Sequence, residues 1–117
     1  MDNRPIGLFD SGIGGISILD KLKELLPNEN FIFLADNKNC PYGYKSKKEI
    51  IFLSTKNCEK LIELNCKVLV VACNTATTNA IEKLREVIDI PIIGIEPGIK
   101  PAISYTKTKN IGILATE

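Results

Sequence analysis

A chain of 117 residues is long enough for one small domain and too short for two. Its 44% hydrophobic and 25% charged residues suit a soluble core, and 15 basic against 14 acidic side chains give none of the charge excess of a nucleic-acid or membrane-surface binder. Aromatic residues at 6%, with no Trp, also argue against a base-stacking platform.

From the N-terminus, Met1 to Pro5 runs straight into a short apolar strand at Ile6-Gly7-Leu8-Phe9, without the apolar stretch and cleavage site of a signal peptide. A Gly-rich turn follows, then a helical pattern to about Leu26 that Pro27-Asn28 breaks. Phe31 to Leu34 reads as a second strand, and the stretch from Asp36 to Ser46 reads as a loop because it holds Asn37, Asn39, Pro41 and Gly43. From Lys47 to about Leu64, apolar residues recur at Ile50, Ile51, Cys58, Leu61 and Ile62, with Ser54 tolerated on the same helical face. Val68 to Ala72 is a third strand, a helix spans about Asn74 to Val87, and Ile92 to Ile95 is a fourth strand. Glu96-Pro97-Gly98 marks a joint before a weaker helical segment, and Ile111 to Ala115 reads as a last strand.

Near-continuous apolar strands separated by helices predict an α/β fold with an open parallel sheet covered on both faces. No apolar run approaches the roughly 20 residues that span a bilayer, so the expected compartment is cytoplasmic, with no membrane and no nucleic acid as partner. Cys40, Cys58, Cys66 and Cys73 are then expected to be reduced. With no CxxC pair and no His, no zinc site is expected.

In such a sheet, ligands bind beyond the carboxyl ends of the strands, where three loops fall. The first, Asp10-Ser11-Gly12-Ile13-Gly14-Gly15, has three readings. It is a phosphate cradle with Asp36 placed to bind a ribose, a plain tight turn, or a carboxylate-bearing turn that presents Asp10 and Ser11. In the third, Cys73 ends an apolar strand and opens a helix, so its sulfur should meet the free N–H groups of the first turn, which favour a negative charge by about 0.3–1 kcal/mol. The alternative is a buried structural thiol. Without His, a Cys-His nucleophile cannot be built, and a thiolate base is what remains. A carboxylate beside that thiolate would oppose its charge, so Asp10 is better assigned to a substrate ammonium, with Asn74 and Thr75 on a carboxylate.

Three stretches together, Phe9-Asp10-Ser11-Gly12-Ile13-Gly14-Gly15, Pro41-Tyr42-Gly43 and Ala72-Cys73-Asn74-Thr75-Ala76, resemble the cofactor-independent aspartate/glutamate racemase family. Ile95 to Gly98 and Ala115-Thr116 add to the resemblance, which covers the whole chain. It implies direct interconversion of L- and D-glutamate, supplying D-glutamate for peptidoglycan, with no pyridoxal phosphate, metal or other cofactor. Two cysteines on opposite faces of the α-carbon exchange the proton, and Cys73 matches the first, acting on the D-enantiomer. Asp10, Ser11, Tyr42, Gly43, Asn74, Thr75 and Thr116 match substrate-binding positions. The second cysteine belongs to a Gly-Cys-Thr-His type motif that this chain does not contain.

The resemblance further implies a flavodoxin-like first domain, incomplete over 1–97, with 98–117 as the crossover and opening strand of a pseudo-symmetric second domain. A fragment of this kind is expected to be inactive alone and the whole protein to be a homodimer. Cys40 lies on the same side as Cys73 and cannot supply the opposite face; Cys58 reads as core, and Cys66 lies at the wrong end of the sheet. The competing readings are an aspartate or hydantoin racemase, a one-cysteine decarboxylase, and a non-catalytic nucleotide-binding or regulatory module.

Overall fold

The computed structural model describes residues 1–115. Its elements run β1 (Ile6–Asp10), α1 (Ile16–Leu25), β2 (Phe31–Ala35), α2 (Lys47–Glu63), β3 (Val68–Val71), α3 (Asn74–Val87), β4 (Ile92–Gly94) and α4 (Ile99–Tyr105). Two single 3-10 turns, Asn37–Asn39 and Tyr42–Tyr44, sit in the loop after β2. The four strands pair in the order β2-β1-β3-β4, all parallel, with Ile6 opposite both Phe31 and Val68. No helix among the described residues is long and apolar enough to cross a membrane.

Strand side chains alternate between two faces, and each face has its own helices. Ile6, Leu8 and Val70 point to one side and pack with Ile18, Leu19 and Leu22 of α1. Phe9, Leu69 and Val71 point to the other, into a larger core with Leu61 of α2 and Leu84 of α3. β1 lies at the centre of this sandwich and is buried along its whole length. Local signals delimit the helices. A capping box starts α2, with the Ser46 hydroxyl accepting from the Glu49 N–H at 3.2 Å and the Glu49 carboxylate accepting from the Ser46 N–H at 2.9 Å. Asn65, at φ 62, turns the chain out of it.

The strands are parallel throughout, but the winding of their connections reverses between β1 and β3. The connection from β1 leads outward to β2, whereas the one from β2 crosses back over β1 to β3. The loops leaving β1 and β3 therefore diverge, opening the crevice in which such sheets bind ligands. Backbone hydrogen bonds bring the strand ends level there, Ala72 N–H to the Phe9 carbonyl at 2.8 Å and Asp36 N–H to the Asp10 carbonyl at 3.0 Å.

The expected last strand is not formed. Residues 111–115 pair with no other strand, and Ile113 and Leu114 are exposed. Apolar alternation alone cannot hold a strand whose ladder has no neighbour. Ile62, expected on the apolar face of α2, is also exposed at its rim, and Asn57 is buried there instead.

Candidate active site

Cys73 is the N-cap of α3, with extended φ, ψ of −86° and 119°. Its sulfur accepts from the Ala76 N–H at 3.4 Å and contacts the Ser11 hydroxyl at 3.5 Å as donor. This is the helix-terminus placement expected from the sequence. The turn is locked from behind by Thr77, whose N–H bonds the Cys73 carbonyl at 2.9 Å and whose hydroxyl reaches the same carbonyl at 3.0 Å. Cys73 is nearly closed off, at 6% exposure, with its polar contacts facing the crevice.

Asp10 shapes the first loop. One carboxylate oxygen accepts from the Ser11 N–H at 2.8 Å and the other from the Gly15 N–H at 2.7 Å. The anion in this glycine turn is thus the protein's own, and the turn presents Ser11 to Cys73 rather than free amides to a phosphate. Gly15 is needed for space. A Cβ there would lie 2.9 Å from the Phe33 ring, 3.0 Å from Asp10 Cβ and 3.1 Å from Ala72 Cβ. Gly15→Ala is expected to cost about 1–3 kcal/mol of overpacking, read as a lower urea midpoint.

The loop after β2 is organised around Asp36, whose two oxygens are both engaged. Oδ2 accepts from the Tyr42 hydroxyl at 2.6 Å and from Asn57 Nδ2 at 3.0 Å, while Asn39 Nδ2 donates to Oδ1 at 2.9 Å. These three bonds come from within the protein to a single carboxylate, so Asp36 orders its own loop. Burial would raise the Asp36 carboxyl, but the hydrogen bonds from Tyr42, Asn39 and Asn57 outweigh it and hold the group below the usual carboxylate value. Burial first, then the bond to Asp36 and the charges of Asp36 and Cys73, push the Tyr42 phenol far up, so it stays a neutral donor. Its ring is buried against Phe9, with centroids 6.0 Å apart.

The sign of the Asp36 shift sets a pH dependence. A folded value below the unfolded one, about 3.9, means stability that is present above that value and lost as pH falls through the folded value. Wild-type Tm should fall below about pH 4, and Asp36→Asn should be less stable at pH 7 with a flatter acid limb, read by thermal melts from pH 7 to 3.

Gly43, Asn74 and Thr75 line a cavity of about 310 Å³ with Lys45 and Pro97. A larger cleft of about 950 Å³ lies between α3 and the 96–101 segment, lined by Thr77, Ile81, Glu82 and Lys100. Cys73, Asp10 and Ser11 line neither. Two residues of the smaller cavity, Asn74 and Thr75, directly follow Cys73 in the chain. Thr116 lies outside the described residues.

The other thiols are elsewhere. Cys40 is exposed and abuts the first loop, with its sulfur 3.2 Å from where a Cβ on Gly12 would sit. Burial pushes the Cys58 thiol up to about 12 and raises that of Cys66, which packs against Gly7. Asn57 escaped the sequence reading. Its signal was an amide standing seven residues after Ile50 and next to Cys58, on a helical face whose other polar member is Ser54.

The family model for Asp/Glu/Hydantoin racemase matches residues 6–117. A glutamate racemase of Herpetosiphon aurantiacus is 52% identical over 117 residues, covering 100% of this chain and 46% of the relative. That of Clostridium acetobutylicum is 54% identical over 115 residues, covering 97% of this chain and 45% of the relative. Among solved structures, Escherichia coli glutamate racemase in complex with L-glutamate superposes with a TM-score of 0.84 at 41% identity, over 90% of this chain and 40% of that one. Glutamate racemase from Francisella tularensis in complex with D-glutamate gives 0.77 at 39% identity, over 89% and 39%. The chain thus spans less than half the length of these relatives. With a family match over nearly all its residues and a parallel sheet that superposes on solved members, the chain belongs to the Asp/Glu/Hydantoin racemase family.

Proposed function

We propose that these residues form the Cys73 half of a cofactor-independent glutamate racemase. The observation that carries the reading is the Cys73 sulfur, held between the Ala76 N–H and the Ser11 hydroxyl at the switch point of the sheet. Relatives at 52% and 54% identity that are glutamate racemases support it, as do structural neighbours that bind each enantiomer of glutamate.

In this reading the Cys73 thiolate takes the α-proton of D-glutamate. The Cα–H bond breaks, an S–H bond forms, and the electron pair remains on Cα, delocalised into the α-carboxylate. A second thiol on the opposite face then gives its proton to Cα, which yields L-glutamate, and the reverse direction exchanges the two roles. Ser11 serves both states of Cys73, since a hydroxyl that accepts from S–H rotates to donate to S⁻. Asp10 and Ser11 hold the substrate ammonium, and Gly43, Asn74, Thr75 and Thr116 hold its carboxylates, with Tyr42 setting the turn that carries Gly43. The opposite thiol comes from a second, pseudo-symmetric domain. Residues 1–97 belong to the first domain and 98–117 lead into the second. The whole protein is a cytoplasmic homodimer that supplies D-glutamate for peptidoglycan.

Polarimetry or circular dichroism tests this directly. The full-length protein should convert both glutamate enantiomers to a racemate without added cofactor, and the 117 residues alone should be slower by at least about 10³-fold, the scale of one missing acid–base group. Conversion of aspartate but not glutamate, or full turnover by the isolated chain, would overturn it.

A further inference from the structure

Asn57 has no part in the chemistry above, yet it is 4% exposed on the apolar face of α2. Burying an amide costs about 1–3 kcal/mol unless its hydrogen bonds are made. Nδ2 lies 2.8 Å from the Leu53 carbonyl, 3.0 Å from Asp36 Oδ2 and 3.1 Å from the Tyr42 hydroxyl, so one of its two N–H groups goes to Leu53 and the other is shared between Asp36 and Tyr42. The bond to Leu53 stays within its own helix and sets the amide's orientation. The other two reach a loop whose Asp36 lies 21 residues earlier in the chain. There the Tyr42 oxygen is donor to Asp36 and acceptor from Asn57, so the phenol is tied at both ends of its hydrogen-bonding capacity.

Tyr42 opens the turn that carries Gly43, and Gly43 lines the same cavity as Asn74 and Thr75. Asp36 is in turn tied through its own N–H to the Asp10 carbonyl, at the root of the loop that presents Ser11. Packing alone would be served equally by an apolar side chain beside Cys58 and Leu61. Only the polar triad Asp36, Tyr42 and Asn57 requires an amide, and it fixes where the turn stands.

We infer that Asn57 is a positioning residue for substrate binding, which holds the Asp36–Tyr42 pair so that the Tyr42–Gly43 turn faces the cavity in its binding conformation. The inference rests on the glutamate reading and adds to it a specificity contact from outside the site loops. Asn57 acts through Tyr42 and does not touch the reacting atoms.

The test uses Asn57→Leu, which keeps size and removes the donors, and Asn57→Asp, which keeps shape and sets a carboxylate against Asp36. Both are assayed in the full-length protein well below their melting temperatures. KM for D-glutamate should rise about 10-fold in Asn57→Leu and further in Asn57→Asp, with kcat within about threefold of wild type. The Tyr42 hydroxyl proton, expected downfield in wild-type NMR spectra because of its short bond to Asp36, should shift upfield or vanish in both. An unchanged KM, a loss confined to kcat, or an unmoved Tyr42 resonance each overturns the positioning role. Absence of glutamate turnover in wild type overturns the activity reading instead, and the resonance alone then decides whether Asn57 orders the turn.

Discussion

Replacing Cys73 by Ala in the full-length protein is expected to abolish α-proton exchange with D-glutamate, by at least about 10³-fold, while the fold survives. The magnitude follows from removing a proton-transfer group that the chain does not duplicate. Cys40 is exposed and turned to the Gly12 side, whereas Cys58 and Cys66 are buried in the core with thiols pushed up by burial. The structural cost is small because only one heavy atom leaves a capped helix start, on the order of 1 kcal/mol. Thr77 still anchors the turn through the backbone carbonyl of residue 73. Proton NMR of D-glutamate in deuterium oxide reads the exchange and a thermal melt reads the fold. Exchange within tenfold of wild type would contradict the role of Cys73.

Phe9→Ala should produce the largest loss of stability, about 3–5 kcal/mol, because a buried aromatic leaves both its transfer energy and a cavity behind. Phe9 is 1% exposed on the central strand and packs into the larger core, with its ring against Tyr42. For a domain whose net stability is about 5–15 kcal/mol, this removes a large share. The urea midpoint should drop by on the order of 2 M, and Phe9→Leu should recover more than half of that. The same change also removes the surface that supports the Tyr42 ring, so D-glutamate binding should weaken even where the variant remains folded.

Much of this architecture is legible in the sequence because its signals are local. Runs such as Val68 to Val71 and Phe31 to Ala35 are apolar on both faces, which only a doubly covered parallel strand needs. The break at Pro27-Asn28 and the cap at Ser46 delimit helices without help from tertiary contacts. The position of Cys73 at a strand-to-helix junction was equally readable, and so was its meeting with the first turn of α3.

What escaped was set by contacts distant in the chain. Nothing local in the sequence announces that the two Asp10 oxygens also organise their own loop through Ser11 and Gly15. A ribose-binding Asp36 belongs to only one of the three readings of the first loop, and Tyr42 and Asn57 reach its carboxylate from elements that no local window joins. Asn57 breaks the polar/apolar pattern of its helix for that reason. Ile111 to Ala115 shows the converse error, since a strand-like sequence forms no strand where nothing offers it a ladder.

If Cys73 stands in a glutamate site, as proposed, bound D-glutamate shields its sulfur from alkylation. The full-length protein would be treated with iodoacetamide with and without D-glutamate, and modification at each cysteine counted by mass spectrometry. Cys40 serves as the internal control, being exposed beside the first loop and not assigned to substrate. D-glutamate is expected to slow modification of Cys73 by at least about tenfold and to leave Cys40 labelling unchanged. Labelling of Cys73 at the same rate at saturating D-glutamate would contradict it.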